Sequence, residues 1–412
     1  MKSLLSIAFV AVLAIHAAAA DWPNFRGPNN SGVSSETNLP TKWSDAENLA
    51  WKTDLPGPGS SSPVILGDKV FLTCYTGYGV NKQDPGDQND LRRYLICVDR
   101  KTGKILWDKQ VSAKLPETPF IGFIANHGYA SSTPAADGER VYVFHGKSGV
   151  FAYDLDGKQV WTASVGTETD DWGSGASPVI YKDLVIVNAG AESGAIVALK
   201  KTSGEKVWSF SGVRRCWGTP ALVDVNDGKQ ELVLSMQNRV IGLDPATGKE
   251  LWHCDGINDY ICPSVVSKGG IAYAIGARMP KALAVKAGGS GDVLWTKRVG
   301  SNVTSPSVLD DYLYWVSDRG TAYCLRTKDG EQVYGERLGR TGGVYASITI
   351  ADGKIYAVSQ NGGTFVLAVG PKFKQLAHNT LDDDSTFNGS PAVSQGQLFL
   401  RSDKRLYCIG KK

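Results

Sequence analysis

Apolar positions along this chain fall in short period-two runs, such as Val141-Tyr142-Val143-Phe144 and Leu313-Tyr314-Trp315-Val316, bounded by Asp-Gly or Thr-Gly turns. Runs of that length and period predict strands. The runs themselves recur. An anchor at the head of each unit reads Ser62-Pro63, Thr133-Pro134, Ser177-Pro178, Thr219-Pro220, Cys262-Pro263, Ser305-Pro306, Ser347-Ile348 and Ser390-Pro391, at spacings of 71, 44, 42, 43, 43, 42 and 43 residues. Each unit closes on a glycine turn and an aromatic: Trp107, Trp161, Trp208, Trp252, Trp295 and, more weakly, Tyr334. The seventh unit has only Gln375-Leu376-Ala377 there, and the eighth stops at Gly410 short of its tryptophan. The missing strand stands at the other end of the chain, as Leu49-Ala50-Trp51-Lys52-Thr53-Asp54-Leu55.

Four-stranded units of about 40 to 45 residues cannot bury their own faces and must stack on one another, which is the requirement of a radial propeller. The expected fold is all-β: an eight-bladed β-propeller with four antiparallel strands per blade, docked by tryptophans and closed by an N-terminal strand. The expected layout is a signal peptide over 1–20, a segment clasping the rim over 21–47, and a single propeller domain over 48–412. A buried Trp removes roughly 150–250 Å² from water, on the order of 4–6 kcal/mol gross. The repeat tryptophans therefore read as mortar between blades and carry no cofactor role.

Composition narrows the partners. With 44 Lys and Arg against 41 Asp and Glu, the net charge is +3. No basic face marks a nucleic-acid binder. The leader has Lys2, an apolar stretch from Leu4 to Ile15 and the run Ala17 to Ala20, which predicts export to a periplasm or beyond. No cysteine starts the mature chain, so no lipid anchor is expected. No later stretch approaches the ~20 apolar residues needed to cross a bilayer. A monomer is expected. Of the seven cysteines, Cys97, Cys324 and Cys408 occupy a third-strand position held elsewhere by Ala152, Ala198, Gly242 and Ala284, a tight core slot. Cys254 and Cys262 are candidates for a disulfide, with Cys216 a competing partner and Cys74 a packing residue.

The unit ending Thr102-Gly103-Lys104-Ile105-Leu106-Trp107, without the Gly-His to Trp-Asp signature of WD40 blades, resembles the tryptophan-docking repeat of pyrroloquinoline quinone (PQQ) propellers. That family includes quinoprotein dehydrogenases and the outer-membrane assembly factor BamB. The resemblance runs from about Trp51 to Gly410, and the lead Asp21-Trp22-Pro23-Asn24-Phe25-Arg26-Gly27-Pro28 resembles that of secreted planctomycete-type members. A dehydrogenase of the family is implied to need a vicinal Cys-Cys disulfide, a calcium held by Glu, Asn and Asp, and an Asp base. No Cys-Cys pair occurs in this sequence. Asp224-Val225-Asn226-Asp227-Gly228 lacks one residue of a hand-type calcium loop and reads as a hairpin turn. Asp382-Asp383-Asp384 with Asn388 reads as a solvated acidic loop rather than a cation site. No hydrolase elbow, Walker loop or zinc spacing is present.

In this topology the loops crossing between blades emerge on one face with the second-to-third strand loops. Two insertions, Thr76 to Arg93 and Ser112 to Tyr129, fall on that face and overhang one sector of the channel mouth. The crossing loops bring there His127, Tyr129, Asp171, Trp172, Arg214, Arg215, Trp217, Asp259, Tyr260, Asn302, Tyr345, Phe387 and Asn388. His145 points to the same face and reads as a core or capping histidine. Aromatics beside arginines and carboxylates suit a flat anionic ligand or a peptide loop. The same residues could simply plug the axis.

Three readings follow. One is an exported non-catalytic propeller binding a protein or small-molecule ligand through His127, Tyr129, Asp259, Tyr260, Asn302, Tyr345 and Asn388. Another is a PQQ-dependent oxidoreductase, with Trp172 or Trp217 stacked on the quinone and Arg214 or Arg215 paired with its carboxylates; PQQ with calcium is the cofactor implied. The third is an envelope assembly scaffold of the BamB type. No catalytic or metal residue is assigned.

Overall fold

A computed structural model describes residues 21–276 and 278–411; the expected signal peptide lies outside the described residues. The chain makes eight four-stranded antiparallel sheets. Blades one to seven span 64–112, 135–163, 179–211, 221–255, 266–297, 307–337 and 349–379. Blade eight takes three strands from the C-terminal end, Ala392–Ser394, Gln397–Arg401 and Arg405–Ile409, and its outermost strand, Leu49–Asp54, from the other end of the chain. The register pairs Trp51 with Cys408 and Asp54 with Arg405.

Docking couples an indole to a glycine. Trp51, Trp107, Trp161, Trp208 and Trp295 donate their indole N–H to the backbone carbonyls of Arg100, Leu155, Lys201, Pro245 and Thr327 in the following blade, at 2.9, 3.3, 2.8, 3.2 and 2.8 Å. Each ring lies on the glycine of the turn it docks against: Gly103, Gly157, Gly204, Gly248 and Gly330. A Cβ there would come within 2.4–2.8 Å of the indole. Those glycines also take φ between 68° and 85°, where a side chain is strained. Trp252 departs from the pattern. It covers Gly291, but its N–H goes to Glu231 Oε2 at 2.6 Å, an oxygen that also accepts the backbone N–H of Gly288 in blade five at 3.1 Å.

Blade seven lacks a tryptophan for a topological reason. Blade eight's third and fourth strands come from opposite chain ends, so no glycine turn joins them and there is nothing to dock on. Ala377 stands at the position, and Trp43 of the N-terminal segment fills the seam, 6.3 Å from Tyr356. The small third-strand slot is likewise explained, because Cys97, Cys408 and Cys324 lie opposite Trp107, Trp51 and Tyr334. All seven cysteines are free thiols, so the candidate Cys254–Cys262 bridge is absent.

Around the axis a second system closes on itself. The backbone N–H of Ser62 donates to Thr133 Oγ1, Thr133 to Ser177, Ser177 to Thr219, Thr219 to Ser264, Ser264 to Ser305, Ser305 to Ser347, Ser347 to Ser390 and Ser390 back to Ser62, all at 2.9–3.0 Å. In blade five the hydroxyl comes from Ser264, which corrects the anchor expected at Cys262-Pro263.

The N-terminal segment crosses the face opposite the crossing loops. Trp22 bridges Ile65 of blade one, Pro23 accepts from Ala136 of blade two, and Arg26 donates to Pro306 O and, at 2.6 Å, to Ser307 Oγ of blade six. Ser34 then bonds Ile350 of blade seven, and Glu36 accepts from Gly396 of blade eight. Trp22 and Arg26 are each 1% exposed, so the segment stops the lower end of the channel as well as touching the rim.

Trp208→Ala should lower unfolding stability by about 3–5 kcal/mol in denaturant titration. Removal of residues 21–55 should abolish the cooperative thermal transition, because both the plug and blade eight's outer strand are lost; a melting temperature equal to the parent's would refute closure by that strand.

Candidate functional site at the channel mouth

The two insertions form an ordered shelf. Arg93 and Glu117 make a buried ion pair at 2.8 Å. Gln88 exchanges two hydrogen bonds with the Glu117 backbone at 2.9 and 3.0 Å, and Tyr78 Oη accepts the Phe120 N–H at 3.0 Å. Tyr75, Tyr78, Phe120, Ile124 and Tyr129 pack as a small core of their own. From this shelf a short helix, Ile124–His127, delivers Phe123 and His127 to the axis.

There the crossing loops enclose a cavity of about 160 Å³. Phe123, Trp172, Trp217, Tyr260 and Tyr345 form its aromatic wall, Asn302 and Asn388 supply amides, seven hydroxyls of the axial circuit line its neck, and Phe25 of the N-terminal plug also lines it. The indoles of Trp172 and Trp217 lie 4.7 Å apart at 31°, Phe123 is 4.7 Å from Trp172, and Tyr260 meets Trp172 edge-on at 4.2 Å. Trp217 donates its indole N–H to Gly173 O at 2.8 Å, which fixes its plane. His127 places Nδ1 2.6 Å from Ser131 Oγ and Nε2 2.9 Å from Trp172 O. A carbonyl can only accept, so Nε2 carries the proton and Nδ1 accepts from the serine. Burial holds the His127 pKa below its usual value and keeps the ring neutral. Asn388 ties the blade seven to eight crossing to the shelf, donating to Asn126 O at 2.8 Å.

Of the expected residues, His127, Trp172, Trp217, Tyr260, Asn302, Tyr345 and Asn388 therefore gather around one cavity. Six stand outside it, among them Asp171, which is exposed, and Phe387, which packs 6.0 Å from Tyr407. Arg214 and Arg215 are exposed, with the Arg215 guanidinium 5.7 Å over Trp172. Tyr129 turns into the shelf core and donates to Thr118 O at 2.6 Å. Asp259 accepts the backbone N–H of Tyr260 at 2.8 Å. Phe25, Phe123 and the hydroxyl neck were not anticipated as lining; only the recurring Ser and Thr anchors carried a signal for them.

The cofactor the resemblance implies does not fit this arrangement. A polycarboxylated quinone needs cations to pair with its carboxylates, and among the described residues no Lys or Arg lines the cavity. Among the described residues no three His, Cys, Asp or Glu converge to hold a metal. Asp383 accepts from Ser385, Ser402 and Tyr407 at 2.5, 2.6 and 2.7 Å, a structural cap. Residues 226–228 form a 3-10 turn.

Behind the shelf, His145 and Glu192 are buried near Arg93. Burial first and Arg93 second push the His145 pKa down to about 3. Burial raises the Glu192 carboxyl to about 7, against the lowering effect of its bond from Ser174.

Comparison with known proteins gives the context. A PQQ-repeat family model described as outer membrane protein assembly factor BamB matches residues 88–215 and 131–336. BamB of Burkholderia pseudomallei (strain K96243) is 28% identical over 154 residues, 37% of this chain and 30% of that protein, so the match spans under a third of the relative's length. BamB from Moraxella catarrhalis superposes with a TM-score of 0.64 at 15% identity, covering 88% of this chain and 97% of that one. The quinohemoprotein alcohol dehydrogenase of Comamonas testosteroni gives 0.67 at 13% identity, covering 95% and 81%. These likenesses show the fold. No helix among the described residues is long and apolar enough to cross a membrane.

A carboxyl whose folded pKa exceeds its unfolded one favours folding while protonated, so the Glu192 contribution declines as pH rises from about 4.5 through about 7. Glu192→Gln should therefore gain stability relative to the parent on going from pH 4.5 to pH 8, by on the order of 2–3 kcal/mol, measured by urea unfolding at both pH values.

Proposed function

The chain belongs to the PQQ-repeat propeller family described as outer membrane protein assembly factor BamB, and from that premise we propose that it is an exported, non-catalytic binding propeller that takes a ligand in the blind aromatic channel of its crossing-loop face. One observation carries the reading: crossing loops from around the ring and a dedicated shelf converge on one cavity that is closed below and holds no charged side chain. Cavities of this kind, apolar and aromatic with a few placed polar groups, are where proteins hold small ligands. Among the described residues no cation lines the cavity and no carboxylate set converges, which argues against the oxidoreductase reading.

A second reading, a BamB-like scaffold that docks a partner protein, is favoured by exposed apolar side chains on the two insertions. Val80 is 51% and Ile121 70% exposed at the same mouth. The two readings separate by mutation. A cavity ligand found by native mass spectrometry should lose at least about tenfold in affinity in Trp172→Ala, with no loss in a Val80→Glu/Ile121→Glu variant. A scaffold would show the reverse, and ligands indifferent to Trp172→Ala would refute the channel site. Reconstitution with PQQ and calcium should give neither quinone absorbance nor dye reduction with alcohols.

A further inference from the structure

The hydrogen-bonding state of the cavity wall narrows the guest, on the reading that the channel is a ligand site. Seven axial hydroxyls line the cavity: Ser62, Ser177, Thr219, Ser264, Ser305, Ser347 and Ser390. Each uses a lone pair to accept a backbone N–H of the preceding blade. Among the described residues none of the seven donates its own O–H to a protein acceptor, so a belt of donors faces the axis. Above the belt, Asn302 Oδ1 is buried with no donor. The wall thus presents orphan donors beside the indoles of Trp172 and Trp217, with no formal charge, and a turn of the Asn302 amide, whose Oδ1 is buried and unpaired, would bring an acceptor to the same space.

Buried polar groups demand partners. Without a guest they are met by water, for which about 160 Å³ has room for about five molecules. A guest that displaces such water must reproduce its hydrogen bonds or lose affinity. An apolar guest satisfies neither the belt nor Asn302. A carboxylate satisfies the belt, leaves Asn302 Oδ1 without a donor, and brings a charge into a site with no cation. An ammonium fails on the belt. A polyhydroxylated ring satisfies both, since each hydroxyl donates and accepts, and its C–H face lies against an indole. We propose that the channel binds one neutral sugar ring, its hydroxyls on the axial belt and Asn302 and its apolar face on the Trp172–Trp217 wall. Because the plug closes the far end, a single ring enters, as a free monosaccharide or as the terminal residue of a glycan.

The test is calorimetric titration of the purified protein with D-glucose, D-galactose, N-acetyl-D-glucosamine and cellobiose, and with D-glucuronate as the charged counterpart. At least one neutral sugar should bind. Its affinity should exceed that of D-glucuronate by at least tenfold and fall at least tenfold in both Trp172→Ala and Asn302→Leu. Tighter binding of cellobiose than of D-glucose identifies a chain terminus as the guest, and the reverse order a free monosaccharide. The glucuronate comparison uses unmodified protein, so it stands even where a variant folds poorly. Binding of none of the neutral sugars, equal binding of D-glucuronate, or indifference to both substitutions would overturn the proposal. Should the tripeptide Gly-Trp-Gly bind in a Trp172-dependent way while the sugars do not, the ligand class falls and the channel site stands. If neither probe class depends on Trp172, both fall.

Discussion

The backbone N–H at the head of each innermost strand has no partner within its own blade, and the structure depends on where that group finds one. It is the hydroxyl of the next blade, eight times over, until Ser390 returns to Ser62. Each such bond is worth about 0.5–1.5 kcal/mol net, but a broken one leaves a buried donor orphaned at greater cost. The circuit therefore acts as an all-or-none constraint: an open arc would strand a donor at its end. It also decides what the axis is made of. A residue that must accept from the backbone at the crowded centre can only be small and oxygen-bearing, so the ring that holds the blades together is the same ring that lines the cavity.

At the outer edge the constraint is of a different kind. An indole lying on a glycine is dispersion and area burial, tolerant of some variation in the hydrogen bond. Trp252 keeps its glycine and exchanges a carbonyl for Glu231. Tyr334 replaces the indole and meets Phe373 of the next blade edge-on at 5.7 Å. Between blades seven and eight the device disappears because its receptor turn does not exist, and Trp43 covers the seam instead. At the seam between blades eight and one, Arg401 is buried and bonds Thr73 O at 2.9 Å and Ser61 Oγ at 3.2 Å. Two of these four departures flank blade eight, where the chain ends meet, and there the non-repeat residues Trp43 and Arg401 take over.

That distribution explains what the amino-acid pattern could disclose. Strand period, unit spacing and the displaced outer strand around Trp51 are local or repeat-borne signals, and all were legible. The fifth anchor was misplaced because Pro263 sustains an even spacing while the chain has slipped, so that Ser264 takes up the hydroxyl position. In the crossing loops, residue type was legible and direction was not. Trp217 and Arg215 are two apart, yet one lines the cavity and the other lies on the outer side of Trp172. Tyr129 was drawn away by the shelf core, a tertiary contact between insertions that no spacing encodes. Phe25 and Phe123 reach the axis from the rim-clasping segment and an insertion, the parts of the chain where repeat alignment has nothing to say.

The N-terminal segment after residue 20 joins closure to the site. Phe25 lines the cavity, and the next residue, Arg26, is a cation buried to 1% exposure without a carboxylate partner, its pKa lowered to about 9 by burial alone. Burying such a charge is costly, and Arg26 Nε and Nη1 have no protein acceptor. The residue is nonetheless held by Pro306 O, Ser31 O and Ser307 Oγ, groups that are brought together only when the N-terminal segment has crossed the ring. Because the same segment runs on through Trp43 into the strand Leu49–Asp54, the blind end of the channel is formed by the stretch of chain that completes blade eight. A ring left open at that seam would lack its floor as well as its last strand, so an intact site reports a closed propeller.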